Sequence, residues 1–183
     1  MTLSDEPLAA TLVLGGARSG KTRRALALAE TRSRPVYIAT AEAFDDEMAV
    51  RIAAHRAERG EAWQTVEAPL GLSDALDQIN AGHRAEERIG DSAIVIDCLT
   101  LWLSNLMHAD RDIARETDNL LAAIERSAVP VILVSNEVGL GIVPDNAMAR
   151  AFRDHQGRLN QAVAAAVPVV EFVTAGLPRR LKP

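Results

Sequence analysis

The residues best placed to do chemistry begin with Gly15-Gly16-Ala17-Arg18-Ser19-Gly20-Lys21-Thr22, which fits the Walker A pattern between a short apolar strand and a helix. Glycines let the backbone curl so that amide groups converge on phosphate oxygens, and the helix presents its positive N-terminus to the same anion. Lys21 is suited to reach the β and γ phosphates, and Thr22 to offer its hydroxyl to Mg2+. A glycine-rich turn without chemistry is the alternative. Against it stands composition: among 20 Lys plus Arg, only Lys21 and Lys182 are lysines, so a lysine here is a specific choice. The apolar run Ala93-Ile94-Val95-Ile96 ends in Asp97, the form of a Walker B carboxylate. Asp97 is a candidate Mg2+ ligand, directly or through water, and the N-cap of the following helix is a compatible alternative.

A third group is His55, four residues after Arg51 and four before Arg59 on a predicted helix from Asp45 to Arg59. Like charges disfavour an imidazolium, so this histidine is expected to be neutral, with a free lone pair beside guanidinium groups that bind phosphate. Such a group is a candidate covalent nucleophile toward phosphorus. On the residues alone, a solvated helix face is the more ordinary explanation of the pattern.

These groups need a frame to bring them together. Apolar runs at Ala10–Leu14, Pro35–Ala39, Ala93–Ile96, Pro130–Val134 and Val167–Val173 read as strands. Helical periodicity marks Gly20–Thr31, Asp45–Arg59, Leu72–Ile79, Leu99–Met107, Asp112–Arg126 and Asp145–Ala166. Alternation of the two predicts an α/β fold with a mostly parallel sheet covered by helices on both faces. The tip of the Asp97 strand should then lie on the same sheet edge as the phosphate loop. Asn136-Glu137-Val138-Gly139-Leu140-Gly141 should form another loop at that edge, either lining an acceptor pocket or simply connecting strand to helix.

The 183 residues carry a net charge of −5 and 48% apolar residues, values suited to a single domain spanning 1–183, with 1–7 expected to be flexible. The absence of a basic excess disfavours a nucleic-acid partner. No apolar run is long enough to span a membrane, the N-terminal residues lack a signal core, and Cys98 has no second cysteine to pair with. A cytoplasmic address is the expectation. Met148, Phe152, Leu159 and Val163 fall on one apolar stripe of the last long helix, which places His155 inward as a core residue. Trp102 reads as core or subunit interface, and Arg179 and Arg180 as a solvated tail.

Taken in order, the phosphate-loop residues, Tyr37-Ile38-Ala39-Thr40, Asp45-Asp46-Glu47-Met48, Arg51-Ile52 with His55-Arg56, Trp63 with Thr65-Val66-Glu67, Asp97-Cys98-Leu99-Thr100 with Trp102-Leu103-Ser104-Asn105-Leu106, and Ser135-Asn136-Glu137-Val138-Gly139 with Gly141-Ile142-Val143-Pro144 resemble the bifunctional adenosylcobinamide kinase / adenosylcobinamide-phosphate guanylyltransferase family of cobalamin biosynthesis. The resemblance implies a RecA-like P-loop NTPase core, a homotrimer and two reactions. Adenosylcobinamide is phosphorylated with ATP or GTP, and GMP from GTP is then passed through a GMP-histidine intermediate to that phosphate. The position matching the family's histidine is His55. The same resemblance implies nucleotide contacts at Gly15 through Thr22 (Gly15, Gly16, Ala17, Arg18, Ser19, Gly20, Lys21, Thr22), at Ile38, Ala39 and Thr40, at Arg56, Ala57, Glu58 and Arg59, and at Glu67 and Asp97. A kinase or guanylyltransferase with only one of the activities is the nearest alternative, and a RecA-like regulatory ATPase a more distant one.

Overall fold

The computed structural model describes residues 8–42, 63–86 and 89–182. Seven strands form one sheet: β1 (Thr11–Gly15), β2 (Arg34–Ala39), β3 (Gln64–Glu67), β4 (Ser92–Asp97), β5 (Val131–Asn136), β6 (Val169–Thr174) and β7 (Leu177–Lys182). Their order is β3-β2-β4-β5-β1-β6-β7, all parallel except β7, which pairs antiparallel with β6. The helices described are α1 (Lys21–Ala29), α2 (Leu72–Ala85), α3 (Leu99–His108), α4 (Ile113–Arg126) and α5 (Ala147–Ala166).

The continuous apolar runs of the central strands follow from burial on both faces. Leu12, Val36, Ile38, Ile94, Ile96 and Leu133 point to a core shared with α2 to α5, through Leu76, Leu103, Leu120 and Leu159. Their neighbours Val13, Tyr37, Val95, Ile132 and Val134 point the other way, where α1 contributes Ala25 and Ala29. Small alanines let α1 lie close to the sheet, and Arg24 then reaches Glu171 on β6 with two 2.7 Å hydrogen bonds. That two-pronged pair fixes the orientation of the helix that follows the phosphate loop.

Most predicted elements are present, with local signals where expected. Asp112 caps α4 by accepting from the Arg115 amide; α5 begins later than the predicted Asp145, and its cap is Asn146, which accepts from Met148 and Ala149. Four readings need correction. Residues Arg179 and Arg180 belong to strand β7, not to a tail; Pro178 and the cations are side chains suited to an exposed sheet edge. Strand β3 is an addition to the predicted set, because four residues, exposed at both ends and half-buried between, carry too little alternation to read. Met148 at the start of the α5 stripe is exposed, and the buried part of the stripe is Leu159 and Val163. His155 is only half-buried, and the inward positions are held by Gln156 and Asn160. Trp102 is core, 1% exposed, with its indole N–H donating to the Leu70 carbonyl. The predicted helix Asp45–Arg59 lies outside the described residues, as does the 1–7 extension.

Candidate active site

Parallel pairing brings the carboxyl ends of the strands to one edge. Gly15 stands opposite Asn136 on β5 and Val173 on β6, while Ala39 stands between Glu67 on β3 and Asp97 on β4. Ligands of open α/β sheets bind at this edge.

The phosphate loop is shaped by its neighbours. A Cβ on Gly15 would lie 2.4 Å from the Val173 carbonyl oxygen, so only glycine fits where β1 runs into the loop. Gly20 takes φ 100° and begins α1 without a side-chain cap, leaving the first helical amides to an external acceptor. The β6–β7 turn closes on the loop from outside, with the Gly176 amide donating to the Ser19 carbonyl at 2.8 Å. Ser19 Oγ is buried and has no hydrogen-bond partner among the described residues, as suits a donor facing a phosphate. Lys21 is 7% exposed, and its ammonium donates to the Gly16 carbonyl at 2.5 Å. Burial lowers its pKa, opposed by the negative charge of Asp97. A cation desolvated in this way gains more from an incoming anion than a solvated one does.

Asp97 joins the loop across the sheet. Its Oδ2 accepts from the Thr22 hydroxyl at 2.8 Å and from the Tyr37 hydroxyl at 3.0 Å. The helix-capping alternative is not what the structure shows, for Cys98 occupies the N-cap of α3. Thr40 is fully buried: its hydroxyl accepts from the Cys98 amide and donates to the Cys98 carbonyl, both at 2.8 Å, and Asn105 donates to its carbonyl. Ile38 is also fully buried, so a nucleotide contact from this segment falls to Ala39 and to the backbone. Glu67 is exposed at the same edge. The loop after β5 is seated there too, tied by the Glu137 amide to the Gly15 carbonyl at 3.0 Å and by Arg153 to the Gly139 carbonyl at 2.6 Å. His55 and Arg56 to Arg59 lie outside the described residues.

Two residues at this edge were not among the predicted site residues. Tyr37 is legible only once β2 and β4 are paired, and Gly176 only once the β6–β7 turn is seen against the loop.

Burial, with Asp97 beside it, pushes the Cys98 thiol up to about 11. At pH 8 only roughly one thiol in a thousand is then ionised in the folded protein, against about a quarter in an unfolded chain. We expect iodoacetamide to alkylate native Cys98 at least about a hundredfold more slowly than the denatured thiol at that pH, as read by mass spectrometry. The folded thiol keeps its proton to higher pH than the unfolded one, so this site favours folding at neutral pH and that contribution is lost as pH rises toward about 11. Equal rates in native and denatured protein would contradict this placement.

The arrangement has known relatives. The family model described as cobinamide kinase / cobinamide phosphate guanyltransferase matches residues 11–181. The chain is 45% identical over 174 residues to the bifunctional adenosylcobalamin biosynthesis protein CobP of Pseudomonas aeruginosa, covering 93% of this chain and 96% of the relative. It is 41% identical over 186 residues to the bifunctional adenosylcobalamin biosynthesis protein CobU of Escherichia coli, covering 93% and 98%. Among solved structures it is similar to a prototypical ATPase from the type III secretion system of pathogenic bacteria, with a TM-score of 0.59 at 8% identity over 94% of this chain and 56% of that one, a likeness of fold. By sequence over nearly its whole length, and by a nucleotide loop built on a mostly parallel sheet, the chain belongs to the cobinamide kinase / cobinamide phosphate guanyltransferase family.

Proposed function

We propose that this protein phosphorylates the aminopropanol hydroxyl of adenosylcobinamide with ATP or GTP, then transfers GMP from GTP to that phosphate through a GMP-histidine intermediate on His55. The observation that carries the reading is the phosphate loop with buried Lys21, joined by Thr22 to Asp97, in a chain of this family. In the kinase step the corrinoid hydroxyl attacks the γ-phosphorus and the nucleoside diphosphate leaves. Loop amides and Lys21 hold the phosphates in line for that attack, and positioning with charge neutralisation supplies most of the rate. In the transfer step an imidazole nitrogen of His55 attacks the α-phosphorus, a P–N bond forms and pyrophosphate leaves with the bond electrons. A phosphate oxygen of the corrinoid then attacks the same phosphorus, the P–N bond breaks and the imidazole is regenerated.

Thr22 and Asp97 offer hard oxygens and would hold Mg2+, which supplies charge neutralisation at the phosphates. No group of three or more His, Cys, Asp or Glu able to hold a metal occurs among the described residues. The reading includes a homotrimer, a cytoplasmic setting, small-molecule substrates and no nucleic-acid partner. Exposed Leu140, Ile142 and Val143, on the loop tied to Gly15, favour a site that a large acceptor or a neighbouring subunit completes. Among the described residues no helix is long and apolar enough to cross a membrane.

Incubation with GTP labelled at the α-phosphate tests the proposal. The enzyme should take up acid-labile, base-stable label and surrender it to adenosylcobinamide phosphate as adenosyl-GDP-cobinamide. An enzyme that never labels and never turns over corrinoid would leave only a nucleotide-binding scaffold.

A further inference from the structure

We propose that Tyr37 is a positioning residue of the nucleotide site, which acts through Asp97 by occupying one carboxylate oxygen and leaving the other for the hydrated metal ion. The inference rests on the reading of Asp97 and Thr22 as the Mg2+ site.

The sheet register sets up the contact. Tyr37 stands opposite Val95 and Ala39 opposite Asp97, so Tyr37 and Asp97 are diagonal neighbours on one face of β2 and β4. This is the face covered by α1, from which Thr22 approaches. A diagonal separation is too long for most side chains, but a phenol spans it and places its hydroxyl 3.0 Å from Asp97 Oδ2. Thr22 donates to the same oxygen at 2.8 Å. Two donors thus converge on Oδ2, and no hydrogen bond to Oδ1 occurs among the described residues. Neither donor can easily drift, since Thr22 lies in the first turn of α1 and Tyr37 is packed. Tyr37 is 5% exposed, and its ring meets Trp63 edge-to-face at 6.3 Å and 82°.

A carboxylate with one proton-donating hydroxyl is free to rotate about its Cβ–Cγ bond; one held by two donors from different elements is not. Pre-setting that torsion matters for Mg2+, which demands near-ideal geometry and punishes a misplaced oxygen. Packing alone would be satisfied by phenylalanine. The hydroxyl is the informative part of the side chain.

The test compares wild type, Tyr37→Phe, Asp97→Asn and the double variant, measuring GDP affinity by calorimetry with Mg2+ and with EDTA. Wild type should bind GDP more tightly with Mg2+. Tyr37→Phe should reduce that enhancement by about tenfold, the worth of one charge-assisted hydrogen bond, while affinity in EDTA stays unchanged. In the Asp97→Asn background the phenylalanine should have no further effect. Loss of affinity in EDTA equal to that with Mg2+, an unaltered enhancement, or the same loss without the carboxylate would overturn the proposal.

Because Tyr37 is the single tyrosine of the chain, uniform 3-fluorotyrosine labelling reports on it alone, whatever the folding of the phenylalanine variant. Its fluorine resonance should shift when Mg2+ is added to the GDP complex and should not shift in Asp97→Asn; a resonance indifferent to Mg2+ counts against the role. Should wild type show no Mg2+ enhancement, the metal reading fails and this inference with it. If wild type shows it and Tyr37→Phe retains it in full, only the role of Tyr37 fails.

Discussion

Replacing His55 by asparagine is expected to reduce GMP transfer below detection while phosphorylation of adenosylcobinamide stays measurable. Asparagine keeps a polar side chain of modest size but has no basic nitrogen lone pair, so the P–N bond of the intermediate cannot form. The kinase step uses a different phosphorus and a different nucleophile, and the groups that would hold the γ-phosphate are the loop Gly15 to Thr22 and Asp97, none of which depends on an imidazole. Assaying phosphate transfer to corrinoid and GMP transfer to corrinoid phosphate separately reads the two steps. Equal loss of both in a folded variant would show that His55 serves the architecture of the site, not one reaction in it. Transfer persisting in the asparagine variant would remove the covalent intermediate from the mechanism.

Lys21→Ala should instead depress both reactions together, each by about a hundredfold to a thousandfold, the usual cost of removing one preorganised donor to developing charge. The protein should still fold, because the loop is held by contacts that do not involve the ammonium: the Gly176 amide on Ser19, the Glu137 amide on Gly15 and the Arg24–Glu171 pair. A sharper version is Lys21→Arg. This chain uses arginine for nearly every other cation, yet Lys21 is 7% exposed and its ammonium is threaded to the Gly16 carbonyl. A broader planar guanidinium does not fit that path and should not rescue activity. Wild-type rates in the arginine variant, measured beside a thermal unfolding curve, would mean that charge alone is needed and that the tight seating of Lys21 is incidental.

Some of this molecule was readable from short stretches of chain. The phosphate loop is eight consecutive residues whose conformation is set by glycines and by the strand and helix on either side, so its chemistry survives in the linear order. The central strands declare themselves because burial on both faces demands unbroken apolar runs, as in Ala93-Ile94-Val95-Ile96. Asp112 marks a helix start by the one property a cap needs, a short side chain with an acceptor oxygen. Where the determinant was not local, the reading failed or was silent. Strand β7 is polar because an exposed edge requires it, and that same polarity disguised it as a tail.

The site shows the same division. From the sequence alone came Lys21, Thr22 and Asp97 as candidates to hold a nucleotide and a metal, since each residue type implies a chemistry and its neighbours imply the element that carries it. Only the tertiary structure decided that Tyr37, 60 residues from Asp97, shares its carboxylate oxygen with Thr22, that Thr40 is a buried clasp between β2 and β4, and that Gly15 must be glycine because Val173 lies against it. These depend on strand order and register, which are set by the summed burial of the whole core and which no stretch of residues carries by itself.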